Sequence, residues 1–179
     1  MAEGGHEMDE KMNDALLDEL AACCARFGAK TRFEEGAPAQ VGRTLKAALP
    51  ATDEGEVMLM EMRLLWYNDD IYYLQYYTTL VTDIPSDAEI KKAISGMNFY
   101  CLLGNYGYFT PRKQLYHKYG LLLEQWSENA TDHAVVTLGA LYQLLASIYP
   151  AATGLCAGVI TLEEAEAKGL LRHEPSETN

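Results

Sequence analysis

Basic residues are scarce in this chain: 14 Lys and Arg stand against 26 Asp and Glu, for a formal net charge of −12. A nucleic-acid binder neutralises phosphates with ammonium and guanidinium groups, and an anionic membrane surface asks for the same. Both partner classes are therefore set aside. Acidic charge speaks for solubility and mildly favours a basic or amphipathic partner. Cysteine spacing is equally uninformative for metal. Cys23, Cys24, Cys101 and Cys156 fit no zinc motif, and the adjacent Cys23 and Cys24 are poor disulfide partners. Free thiols in a reducing cytosol are expected. The opening MAEGGHEMDEK has no basic start and no apolar run, unlike a secretory signal. Apolar stretches are short and interrupted, which argues against a bilayer-spanning helix.

Motifs of catalysis and cofactor binding are missing too. There is no G-x-S-x-G, no Walker loop and no G-x-G-x-x-G. Gly104-Asn105-Tyr106-Gly107 reads as a turn without the strand-then-helix context of a phosphate loop. The histidines His6, His117, His133 and His173 are scattered, none at ligand spacing from a carboxylate or another histidine. Asp53-Glu54-Gly55-Glu56 and Asp69-Asp70 lack the residue order of a calcium loop. No metal, no cofactor and no catalytic residue are expected.

What is present is a globular pattern. With 179 residues, 49% of them apolar, one domain suffices to bury roughly 70% of its unfolded surface. The organisation reads as a disordered lead over 1–11, a single α+β domain over 12–170 and a loose tail over 171–179. The centre is a hairpin of VMLMEMRLLW and IYYLQYYTTLVT joined at YNDD. Met58, Met60, Met62, Leu64 and Trp66 alternate on one face, which is expected to be buried under helices, while Glu61 and Arg63 stand on the other. Setting Tyr67 against Ile71 places Trp66 opposite Tyr72, Leu64 opposite Leu74 and Met62 opposite Tyr76, joining the two most apolar faces.

A helix is expected from a cap at Asn13 to Gly28. KTRFEE reads as a short strand, and Gly36 to Glu56 as strand or loop. Ser86-Asp87-Ala88-Glu89 reads as a capping box for a helix closed by Gly104. A second hairpin turns at Thr110-Pro111-Arg112-Lys113, and Leu115, His117, Tyr119, Leu121 and Leu123 share a face of its second strand. A long helix from Asn129 ends before Pro150. Thr161-Leu162-Glu163-Glu164 caps a short last helix stopped by Gly169. Sequential hairpins with amphipathic helices make a two-layer domain with an antiparallel sheet of two hairpins.

In this order, roughly Asn13 to Pro150 resembles the YbjN-like domain, which shares its fold with the type III secretion chaperones. The likeness rests on several stretches: Leu74-Gln75-Tyr76-Tyr77-Thr78-Thr79-Leu80, the helix after Pro85, Leu102-Leu103-Gly104-Asn105-Tyr106-Gly107, Leu115-Tyr116-His117-Lys118-Tyr119, and the long C-terminal helix. The resemblance implies a cytoplasmic helix–sheet–helix domain, often dimeric, that binds protein segments or has no assigned role. It supplies no catalytic residue.

Two functions are expected from different classes. The first is a non-enzymatic protein-interaction module, chaperone-like or regulatory, that binds a segment of a partner protein. Its contact candidates are Leu59, Leu65, Tyr73, Tyr77 and Val81, on the hairpin face opposite Leu74 and Tyr76; a homodimer would cover the same patch. The second is a small enzyme or small-molecule binder with a pocket between sheet and helices. Cys101 and His117 are the pair to test there, because an imidazole beside a thiol can activate it.

Overall fold

The computed structural model describes residues 3–36, 40, 42–68, 71–85, 87–124, 127 and 129–171, with side chains from Asn13 onward. The elements are α1 (Glu3–Arg26), β1 (Lys30–Glu34), β2 (Thr44–Pro50), β3 (Val57–Asn68), β4 (Ile71–Val81), α2 (Ala88–Tyr100), β5 (Asn105–Phe109), β6 (Gln114–Glu124), α3 (Ala130–Ala157) and α4 (Leu162–Ala167). A short 3-10 turn at Thr110–Arg112 joins β5 to β6. Six antiparallel strands form one sheet in the order β1-β2-β3-β4-β6-β5. The domain is α+β in two layers.

The central hairpin sets this architecture. Trp66 faces Tyr72, Leu64 faces Leu74 and Met62 faces Tyr76. The loop end differs by one residue: Asn68, not Tyr67, pairs with Ile71, and Tyr67 is the extra residue of a bulge. Met58, Met60, Met62 and Leu64 are almost fully buried, whereas Trp66 is 39% exposed and leans on Tyr72 at 4.9 Å. Trp66 stands where the hairpin runs out, so it is not covered by helices as its period implied.

All the helical packing falls on one side of the sheet. Helix α1 lies over β1 and β2, α3 over β4 and β6, and α2 against β5 and α3. Leu45, Ala47, Leu49, Met60, Leu74, Tyr76 and Leu115 point into this layer, meeting Leu17, Leu20, Leu138, Leu141 and Leu145. The Tyr76 hydroxyl donates to the Ala134 carbonyl at 2.8 Å, tying α3 to the centre of the sheet. After β4 the chain crosses through α2 to the far edge, so β5 lies outermost and β6 returns to pair with β4.

Several boundaries differ from the sequence reading. Helix α1 begins at Glu3, inside the stretch read as a lead, and Asn13 is a buried helical residue rather than a cap. Ser86 lies outside the described residues; the cap of α2 is Asp87, without a side-chain capping bond, and the Glu89 carboxylate pairs with Lys92 instead. Pro150 sits inside α3. Burial of Ile148 and Tyr149 before it and Ala152, Leu155 and Cys156 after it holds one continuous helix against a proline cost of about 3 kcal/mol. Left-handed Gly158 (φ +69°) ends the helix. Uninterrupted, α3 is long and apolar enough by length and composition to cross a membrane, contrary to the sequence expectation, although it is the core helix here. Leu171, placed in the expected tail, is buried; 172–179 and Asp69-Asp70 lie outside the described residues. The capping box at Thr161 is present, with the Glu164 N–H donating to the Thr161 hydroxyl at 3.2 Å and the Thr161 N–H to the Glu164 carboxylate at 2.8 Å.

Candidate functional site

Cys101 and His117 do come together. His117 projects from β6 into the helix-covered side and is fully buried. Gly104 makes room for it: its φ is +83°, and a Cβ there would stand 2.7 Å from the imidazole and 2.5 Å from the Lys118 carbonyl oxygen. The bend at Gly104 brings the Leu103 carbonyl to 2.6 Å from His117 Nε2. A carbonyl only accepts, so Nε2 carries the ring proton. Cys101 Sγ lies 3.8 Å from that same nitrogen and itself donates to the Leu103 carbonyl at 3.1 Å.

This geometry orients both groups toward one acceptor. The nitrogen facing the thiol has no lone pair free for the thiol proton. Burial pushes the Cys101 thiol up and the His117 imidazole down to about 4, so both are neutral near pH 7. A reactive thiolate–imidazolium pair needs the opposite shifts. The adjoining cavity, lined by Met97, Cys101, Tyr106 and Leu171, measures about 10 Å³, the lower limit for one water molecule. The Tyr106 ring meets His117 edge-on at 4.9 Å. Asn98 of α2 then brackets Tyr106, accepting from its N–H at 2.6 Å and donating to its carbonyl at 3.1 Å. The cluster welds α2, β5 and β6 together.

Among the described residues, the other face of the sheet has no helix on it. Period-2 alternation puts Leu59, Leu65, Tyr73 and Tyr77 there, beside Leu122 of β6 and Phe109 of β5. Leu59 is 53% and Leu122 55% exposed; Leu65, Tyr73 and Tyr77 are half-buried. Val81 is a correction. The register shifts between Thr79 and Val81, and the bulge turns Val81 toward Leu115, where it packs on the core instead of joining the open face.

Two tyrosines pave this surface over glycines. A Cβ on Gly120 would fall within the Tyr73 ring, and one on Gly107 within the Tyr116 ring, so each ring lies flat on bare backbone. Tyr116 stacks on Tyr77 at 5.1 Å. Gln114 donates to the Thr79 hydroxyl at 2.6 Å and to the Tyr77 hydroxyl at 3.3 Å. Arg63 is held by Gln75, whose side-chain oxygen accepts from Nε at 2.9 Å and from Nη2 at 2.6 Å. These contacts hold the rings and the guanidinium before any partner arrives.

The face also departs from the charge of the chain. Among the described residues, six of the 14 basic side chains stand on it or at its rim: Lys30, Arg32, Lys46, Arg63, Arg112 and Lys118. Five of the 26 acidic ones join them, Glu34, Glu56, Glu61, Asp83 and Glu124. Glu34 and Glu61 are taken up by Lys46, at 2.7 and 3.5 Å, and Glu34 also by Arg32. Arg63, Arg112 and Lys118 have no carboxylate within ion-pair distance among the described residues. Three neighbouring concavities meet at Leu59. One of about 460 Å³ runs over Lys30, Arg32, Lys46 and Ala48. Another, of about 730 Å³, holds Arg63, Tyr77, Phe109, Arg112 and Gln114. The third, of about 550 Å³, passes around the sheet end to Tyr149 and Thr153.

Sequence alternation reached Leu59, Leu65, Tyr73 and Tyr77 but passed over Arg63, Gln75, Arg112 and Gln114. Arg63 and Gln75 had a signal, since they share the parity of Leu65 and Tyr73. Arg112 and Gln114 had none, because the fold of the second hairpin brings them alongside Tyr77.

Compared with known proteins, the chain matches no family model, and no curated protein matches its sequence. Fold and surface define its class: a two-layer α+β domain whose sheet is roofed by helices on one face and open on the other.

Proposed function

We propose that this protein is a non-enzymatic interaction module of the cytoplasm, chaperone-like or regulatory, that holds a segment of a partner protein against the open face of its sheet. The observation that carries this reading is the pre-set aromatic surface of Tyr73, Tyr77 and Tyr116, with exposed Leu59 at its end beyond Tyr77. Rigid tyrosines offer large contact area at low entropic cost. The likeness of the strand and helix motifs to YbjN-like domains points the same way, as fold-level analogy. The competing reading, an enzyme using Cys101 and His117, has proximity in its favour; their shared acceptor and the full burial of His117 argue against it.

A photo-crosslinking residue at Leu59 tests the proposal in cells. Adducts of higher mass are expected from Leu59 and not from Val136, an exposed position on α3. Equal adducts from both sites, or none from Leu59, would overturn it.

A further inference from the structure

We infer that the partner segment is acidic and amphipathic, and that it crosses the strands instead of adding to a sheet edge. This rests on the docking role proposed above and names the chemistry of its occupant. The first argument is charge. A chain with net charge −12 gathers six basic groups on one face. The guanidiniums of Arg63 and Arg112, without an ion pair among the described residues, line one trough with Leu59 and Tyr77, where Glu61 and Asp83 also stand. Arg63 is held by a neutral amide, so its charge is oriented but not cancelled. Arg112 lines the same trough as Arg63 and Tyr77; Glu61 acts on Tyr77 ahead of the two arginines but is itself engaged by Lys46. Carboxylates spaced on either side of an apolar anchor at Leu59 and Tyr77 would meet both arginines with charge-assisted bonds.

The second argument is the state of the edges. A peptide that adds a strand needs a free row of N–H and carbonyl groups. On β5 the outward N–H and carbonyl of Tyr106 are already bonded to the Asn98 side chain, which takes the place of a neighbouring strand. On β1 the edge is five residues long and carries Lys30, Arg32 and Glu34, the charged, short form that resists pairing. A partner is left with the face itself. Six strands at a spacing of ~4.8 Å span about 24 Å, which a helix of about 16 residues crosses.

Synthetic peptides of about that length serve as the probe. One carries Leu and Phe on one helical face and Glu on the other; a second replaces Glu with Lys; a third replaces it with Gln. Titrations are followed by backbone amide NMR shifts on the full chain. The Glu peptide is expected to move Leu59, Arg63, Tyr77 and Gln114 and to leave Val136 unmoved. Arg63→Gln and Arg112→Gln, checked for unchanged melting, should each weaken it roughly tenfold. Asn98→Ala should leave its affinity unchanged. Stronger binding of the Lys or Gln peptide to the same amides would overturn the acidic partner while leaving the docking face standing. No peptide moving the face, with sedimentation showing a dimer that buries it, would overturn both readings. Shifts confined to β1 or β5, or strengthened by Asn98→Ala, would overturn the crossing geometry.

Discussion

The two faces of the sheet come from alternate residues of the same strands, yet they are built by different means. On the helix side, methionines, leucines and Tyr76 fill space, and packing against α1 and α3 holds them. On the open side, polar fixings replace a covering layer: Gln75 on Arg63, Gln114 on Thr79 and Tyr77, tyrosines flat on glycine. A buried face gains stability from area removed from water. An open face can only be made rigid from below. The difference teaches where stability and recognition separate: substitutions on one side should unfold the protein, and those on the other should leave it folded.

The largest effect is expected at Leu74, fully buried at the centre of the sheet. Leu74→Ala should destabilise by about 2–5 kcal/mol in urea denaturation, through lost burial and the cavity left behind. A loss below about 1 kcal/mol would put the helix-side face on a par with the open one.

Next comes the pH dependence of His117. Its imidazole is held down to about 4 in the fold, mainly by burial, against about 6.5 unfolded. Because the folded value is the lower one, the unfolded chain binds more protons between these limits. The contribution is complete above about pH 6.5 and is lost as pH falls toward 4, on the order of 3 kcal/mol in total. Equilibrium unfolding at successive pH values should show this slope, and His117→Gln should flatten it. An unchanged slope in that variant would assign the acid sensitivity to other groups.

Trp66 sharpens the border between the faces. It is on the buried parity but 39% exposed, so Trp66→Ala should cost about 1–2 kcal/mol, below the 3–5 of a fully buried tryptophan. A cost at the upper figure would extend the roofed face to the hairpin end. The smallest effect belongs to Leu59→Ser. At 53% exposure it should change stability by within about 0.5 kcal/mol, while removing an apolar contact for a docked peptide. Destabilisation like that of Leu74→Ala would make the open face part of the core.

Much of this contrast was legible in the chain. Period-2 alternation named the buried set from Met58 to Leu64 with Tyr72, Leu74 and Tyr76 facing it, overreached at Trp66, and marked the second face by the polar residues of the other parity. The Thr161 box opens α4, and the left-handed glycines at 28 and 169 follow the ends of α1 and α4. Misreadings fell where a local rule met tertiary packing. Pro150 breaks a helix in isolation, but burial on both sides of it keeps α3 whole. Val81 follows its strand's parity until a bulge turns it inward.

The sequence by itself determined the class of the domain, the central register and the alternation that separates two faces, because these depend on side-chain period and turn chemistry along a few neighbouring residues. Only the tertiary structure decided that all six strands share one sheet, that Cys101 and His117 share one carbonyl, and that Arg63 and Arg112 line one concavity with Tyr77. Those outcomes depend on the crossover through α2, which sets β6 beside β4, and on where each helix lands. Contacts between residues far apart in the chain have no periodic signature, so no local pattern could announce them.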